Sequence, residues 1–359
     1  MKLLTVAVLM SFVLPLHAEE RVLNLYSWPD YVGEKTIKAF EAETGIRVNY
    51  DTFDSNDVLE SKLLTGRAGY DLVFPSTAMA GRVISAKALQ VSGLQQMKGV
   101  GNLDQGILSK VAAADPGNQY VVPYTWGTIG LAVNRQAVEK RIPNAPLDSL
   151  DLLFKPEYAS KLKDCGISVI DTPQEVISIA LNYLGKSPYS SDPADLKEVQ
   201  ALLAKLQPSL HTIGLGTQST DLANGDICLA LTYNGDANTA RAQAEAAHKT
   251  FDIAYHIPRE GTLMWVDTMA IPADAPHPAE AKAFVEFMLR PSSMAELTNS
   301  LYFANANQAS TAMLNKDIVE DPSIYPPEAV RAHLFGEQSL PAKVMRERMR
   351  AWTTFRTRQ

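Results

Sequence analysis

Three short stretches place a large aromatic side chain within three residues of a following carboxylate: Trp28-Pro29-Asp30-Tyr31, Tyr233-Asn234-Gly235-Asp236 and Trp265-Val266-Asp267. These residue types suit a flexible organic dication. Its ammonium ends need carboxylate partners away from water, while its methylene stem and cationic heads favour aromatic faces. Each cation–aromatic contact is worth about 0.5–2 kcal/mol, so several together offset much of the ligand's desolvation.

Each residue also has an ordinary structural role open to it. Asp236 could cap a helix after Gly235, Glu175 stands three residues after Thr172 in capping-box spacing, and Trp265 could fill a core. Signatures of catalysis are scarce. There is no G-x-S-x-G nucleophile elbow, no phosphate-binding P-loop, no H-E-x-x-H and no C-x-x-C. The six histidines lack metal-ligand spacing, and Gly214 and Gly216 are too little of a dinucleotide fingerprint to count.

The clusters fall at predicted strand ends. Val22 to Tyr26 reads as a strand, Glu34 to Thr44 as a helix closed by Gly45, and Ile46, Val48 and Tyr50 as a second, alternating strand. Asp57 and Glu60 suggest the cap of a helix ending near Gly66, and Tyr70 to Phe74 a third strand. This β-α-β-α-β order builds an open, largely parallel sheet, whose ligands sit beyond the carboxyl ends of the strands, where Trp28 and Ser76 are expected. Val121 to Val133 reads as a strand crossing between two lobes. In the second lobe a helix starts near Pro173, and Ile227 to Leu231 is a buried strand leading to Tyr233. Asp252 to Pro258 and Leu263 to Pro272 resume strand character after the chain has crossed back. Pro278 to Leu289 places Ala281, Phe284, Val285 and Met288 on one helical face.

With 359 residues the chain is long enough for two lobes. Its 33 basic against 40 acidic side chains argue against a nucleic-acid partner and suit a cationic ligand weakly. Met1-Lys2, the apolar run Leu3 to Leu16 and the small-residue site at Ala18 read as a secretory signal peptide over residues 1–18; the run is shorter than the ~20 residues of a membrane span. In an oxidising compartment the lone cysteine pair, Cys165 and Cys228, reads as one disulfide, with two buried free thiols as the alternative.

Taken whole, the chain resembles the periplasmic polyamine-binding proteins of ABC importers, the putrescine and spermidine receptors. The resemblance rests on Leu25-Tyr26-Ser27-Trp28-Pro29-Asp30-Tyr31, Ala39 to Gly45, Tyr50 to Asn56, Tyr70 to Ser76, Ala180 to Gly185, Asp221 to Cys228 and Tyr302-Phe303-Ala304-Asn305-Ala306-Asn307. It is greatest toward the putrescine-binding branch. It implies a type II periplasmic-binding-protein fold of two α/β lobes, each a mixed sheet flanked by helices, with the ligand in the cleft between them. The expected division is 19–124 with 250–312 in lobe 1, and 125–249 with 313–359 in lobe 2.

The resemblance assigns Trp28, Asp30, Tyr31 and Ser76 to the ligand site from lobe 1. It adds Glu175, the aspartates Asp236 and Asp267 facing ammonium groups, and the aromatic walls Tyr233, Trp265 and Phe303. It also matches Cys165 and Cys228 to the disulfide of that branch. Three positions depart from the family: Pro29 replaces a small polar residue, Tyr233 a tryptophan and Met79 a phenylalanine. Putrescine, cadaverine, agmatine and spermidine all stay open as ligands. The implied function is a monomeric periplasmic receptor, without cofactor or nucleic acid, that closes on a polyamine and delivers it to a membrane permease. Another cationic or amino-acid-derived solute, or a secreted enzyme using Asp30, Asp236 and Asp267 as acid–base groups, are the alternatives.

Overall fold

The computed structural model describes residues 21–29 and 31–357, so the signal-peptide reading and Asp30 lie outside the described residues. The chain opens with β1 (Val22–Ser27), β2 (Arg47–Thr52) and β3 (Leu72–Val73), β1 lying parallel between the other two. Leu23 and Leu25 alternate into the core with no exposed surface, as a half-buried strand requires. Between β1 and β2 the helix Glu34–Thr44 buries Phe40 and ends at Gly45, whose left-handed backbone returns its N–H to the Glu41 carbonyl.

The next helix, Asn56–Thr65, corrects the expected cap. Ser55 accepts the Val58 N–H at 3.3 Å, while Glu60 reaches Arg82 at 2.6 Å. β3 is shorter than the expected Tyr70 to Phe74, and Pro75, with no amide hydrogen, follows close behind it.

β4 (Val121–Asn134) is fully buried along its 14 residues. Then follow β5 (Ile167–Ile170), β6 (Thr212–Gly214), β7 (Leu229–Tyr233), β8 (Ile253–His256), β9 (Leu263–Ala270), β10 (Ala304–Asn305) and β11 (Phe335–Gly336). The main path runs β2-β1-β3-β9-β4-β7-β5-β6, with β8 and β10 on β4 and β11 on β9. Each half is thus a mixed sheet, and β4 and β9 run through both. Their antiparallel register slips once: Pro123 faces Thr268 but Trp126 faces Val266, so Tyr124 and Thr125 oppose the single residue Asp267. Such a bulge bends a strand and re-aims the side chains beside it.

Apolar side chains gather in two main cores. The first holds Leu23 to Trp126, Met264 to Ala306, and Ile318, Ile324 and Leu334. The second holds Ile129 to Leu231, Leu263, Trp265, Trp352 and Phe355, with a small alanine-rich cluster beside it. The chain therefore crosses back within β9, later than residue 250, because β8 pairs with the far half of β4 from Leu131 to Asn134. The segment carrying Ile318, Ile324 and Leu334 packs with the first core, and Phe335 and the last helix, Ala342–Arg356, with the second. Cys165 and Cys228 form a disulfide across the entry to β5 and β7, their Cα atoms 5.5 Å apart. The helix Pro278–Met288 buries Ala281, Phe284, Val285 and Met288, the face its spacing gave.

Candidate functional site

Trp28 leaves the carboxyl end of β1, its indole N–H donating to the Phe74 carbonyl at 3.0 Å and its own carbonyl accepting the Tyr50 hydroxyl at 2.7 Å. The chain then turns Tyr31 inward. Its carbonyl accepts the Tyr124 hydroxyl at 3.0 Å, and its hydroxyl donates to the Asp267 carboxyl at 2.7 Å and touches Thr125. Asp267 owes this meeting to the β4/β9 bulge. Ser76, buried at the start of the helix Thr77–Ser85, bridges to Asp267 through the backbone.

From the second half, Tyr233 ends β7 and donates its hydroxyl to Glu175 at 2.7 Å, supplying the partner that a tyrosine in place of a tryptophan requires. Glu175 lies in the first turn of the helix Pro173–Tyr183. Asp236 sits in the first turn of the helix Asn234–Ala246 and accepts the Thr232 hydroxyl at 3.0 Å.

Four aromatic rings join the halves edge to face. Tyr31 meets Phe303 at 5.4 Å, Phe303 meets Trp265 at 6.0 Å, and Trp265 meets Tyr233 at 6.4 Å between centroids. Two glycines make room for this wall. A Cβ on Gly235 would stand 2.7 Å from Phe303 Cε1, and one on Gly127 2.4 Å from Trp265 Cζ2, closer than packed carbons approach.

One more acid joins the cluster. Glu337 follows β11, which runs parallel to β9 with Gly336 opposite Met264, and so arrives beside Trp265. Its carboxyl accepts the Ala78 N–H at 3.4 Å and a hydrogen bond from the Ser76 side chain. The sequence reading missed it, although Phe335-Gly336-Glu337 repeats the aromatic-x-acid spacing of Trp265-Val266-Asp267.

Burial raises the pKa of all four carboxyls, and no cation stands among the groups acting on them. Asp267 is pushed up to about 7 by burial and the charge of Glu175, against the Tyr31 hydrogen bond. Glu337 is pushed up to about 8 by burial, then by Glu175 and Asp267. The Tyr31 and Tyr233 hydroxyls are driven well above their ordinary range by burial and by the acids they serve. The arrangement gathers acids and aromatic rings where the two halves meet, Asp267 buried and Glu175, Asp236 and Glu337 half-buried, and it can receive cationic groups at several points. The structure brings together Tyr31, Ser76 and Asp267 from one side with Glu175, Tyr233 and Trp265 from the other, Phe303 linking them; Asp236 acts on Tyr233, while Trp28 packs on Phe53 at 4.5 Å. Met79 is buried in the first core. Among the described residues no group of three or more His, Cys, Asp or Glu could hold a metal, and no helix is long and apolar enough to cross a membrane.

The bacterial extracellular solute-binding protein family matches residues 35–326. The putrescine-binding periplasmic protein SpuD of Pseudomonas aeruginosa is 41% identical over 341 residues, covering 95% of this chain and 93% of its own length. The putrescine-binding periplasmic protein PotF of Escherichia coli is 42% identical over 340 residues, with 94% and 92% covered. The spermidine/putrescine ABC transporter substrate-binding protein PotD of Streptococcus pneumoniae superposes with a TM-score of 0.82 at 28% identity, over 94% of this chain and 99% of its own. The likeness to these binding proteins, with the mixed sheet and flanking helices, is that of a two-lobe type II periplasmic-binding-protein fold. On this match and these relatives the chain belongs to the bacterial extracellular solute-binding proteins, which are receptors and not enzymes.

Proposed function

We propose that this receptor captures a linear polyamine, putrescine or a close relative, in the periplasm by closing its two lobes, and hands it to the permease of an ABC transporter. The single observation that carries the reading is the gathering of four carboxyls, Asp267 buried and the others half-buried, with no cation among the groups acting on them, beside a wall of four edge-on aromatic rings. A polyamine supplies what that slot lacks: ammonium groups for Asp267, Asp236 and Glu175, and a methylene stem for Trp28, Tyr31, Tyr233, Trp265 and Phe303. Asp30 and Ser76 complete the proposed set. The lobes in this reading are the two apolar cores, hinged at β4 and β9, and the protein works as a monomer without nucleic acid or cofactor. The relatives named for putrescine support the ligand class.

The test is a calorimetric screen of putrescine, cadaverine, agmatine and spermidine against protein unfolded, freed of ligand and refolded. At least one amine should bind, and Asp267→Asn should cost about 2–5 kcal/mol of that binding by stripping an ammonium of its buried partner. Absence of heat with every amine, from protein that melts cooperatively, overturns the reading.

A further inference from the structure

Each acid beside the aromatic wall already has an oxygen bonded to the protein. Tyr31 donates its hydroxyl to Asp267 Oδ2 at 2.7 Å, Thr232 to Asp236 Oδ2 at 3.0 Å and Tyr233 to Glu175 Oε2 at 2.7 Å. Glu337 Oε2 accepts the Ala78 N–H at 3.4 Å. At most one oxygen of each carboxyl is therefore left without a protein donor. The donors are fixed by the fold: Tyr31 and Thr232 are buried, Tyr31 is held again by the Tyr124 hydroxyl on its carbonyl, and Tyr233 follows Thr232 at the end of β7.

The two cationic heads that an aliphatic amine can carry use carboxyls differently. An ammonium is a compact charge whose three donors turn to meet single oxygens from separate groups. A guanidinium is a planar fork, bound best by two parallel N–H bonds to both oxygens of one carboxylate. On these acids the second arm of the fork has to share an oxygen that already accepts a hydroxyl or amide hydrogen, or go without an acceptor. Aromatic faces serve either head, so the difference rests on the oxygens.

We infer that the hydroxyls of Tyr31, Thr232 and Tyr233 set ligand choice by head group: they leave single carboxyl oxygens that suit primary ammonium ends and turn away guanidinium ends. The inference rests on the polyamine reading and deepens it, dividing putrescine and cadaverine from agmatine. Tyr233 is also a position where this chain departs from the family it resembles, a tryptophan there carrying no hydroxyl to place on Glu175.

The experiment is titration calorimetry with pairs of amines matched in length from end nitrogen to end nitrogen: putrescine with aminoethylguanidine, cadaverine with aminopropylguanidine, and hexamethylenediamine with agmatine. The pair whose diamine binds the wild-type protein most tightly decides. Its guanidine should bind about tenfold or more weakly than its diamine. Tyr233→Phe, Thr232→Val and Tyr31→Phe each free one carboxyl oxygen, and in at least one of them the guanidine should gain about fivefold or more on its diamine, the variant showing which acid takes that head. The ratio is the readout because a fault in packing alone weakens both members of a pair. A guanidine that matches its diamine in the wild-type protein overturns the inference, and so does a ratio unmoved in all three variants. If no diamine binds the wild-type protein, the putrescine reading itself has failed, which is a different result from diamine binding without discrimination.

Discussion

A carboxyl kept ready for a cation strains the protein while the cation is away. Asp267 has its proton affinity raised in the fold, to a pKa of about 7, well above the ordinary aspartate range. The sign follows from linkage: the folded state binds the proton more tightly than the unfolded chain, so this stability is fully present below about pH 4 and lost as pH rises through about 7. The ligand-free protein should therefore melt at a lower temperature at pH 8 than at pH 5. Asp267→Asn should remove part of that slope, raising stability at pH 8 by about 2 kcal/mol while doing little at pH 4.5. Scanning calorimetry at the two pH values checks it, and an equal effect at both would assign the change to packing. Most of this site was legible, because the aromatic-plus-acid pairs sit at strand ends and chemistry restricts what they can serve. Glu337 escaped notice because its strand is only two residues long and no alternating pattern announces it. The link between Tyr233 and Glu175 was legible only as a hydroxyl in need of an acceptor.

At the scale of elements, local signals read well where neighbours in sequence decide the outcome, and poorly where tertiary pairing does. Gly45 ends its helix as expected and β4 crosses both lobes, since a 14-residue run without an exposed position must be covered on both faces. The four-residue β8 could have joined either lobe, and only its pairing with Leu131 to Asn134 decides. Gly235 gives this scale its test. It lies in the first turn of a helix with an ordinary backbone, so alanine should hold the helix at least as well. The added methyl meets Phe303 across the cleft. Gly235→Ala is expected to leave the ligand-free melting temperature unchanged or slightly higher while weakening polyamine affinity by about fivefold, a displaced ring contact being worth about 1 kcal/mol. Parallel losses in melting temperature and affinity would place the fault in folding. The disulfide belongs to this scale too. It closes a loop of 63 residues over the β5/β7 pairing, so Cys165→Ser with Cys228→Ser should cost up to about 4 kcal/mol of unfolding free energy in urea, where a loss near zero would show that the bridge constrains little.

For the whole molecule, the question is what holds the lobes together besides the ligand. Phe303 packs against both cores, Asn234 Nδ2 donates to the Ser323 carbonyl at 3.3 Å, and Arg241 meets Asp321 at 3.0 Å. Arg241 and Asn234 belong to the helix after β7, whereas Ser323 and Asp321 lie between Ile318 and Ile324 of the first core. The ion pair therefore bridges the lobes. Its half-exposed arginine limits it to about 0.2–1 kcal/mol, as for other surface pairs. A contact made in the closed arrangement and lost on opening biases that equilibrium by its whole worth and shifts every ligand's apparent affinity alike. Arg241→Gln should thus weaken putrescine and spermidine by a similar factor, at most about fivefold, and leave their ratio intact. Salt should act in the same direction, with wild-type affinity falling more steeply than the variant's as exposed charges are screened. Matching affinities and matching salt slopes in the two proteins would mean that the pair survives opening, leaving closure to the ligand and the Phe303 contact alone.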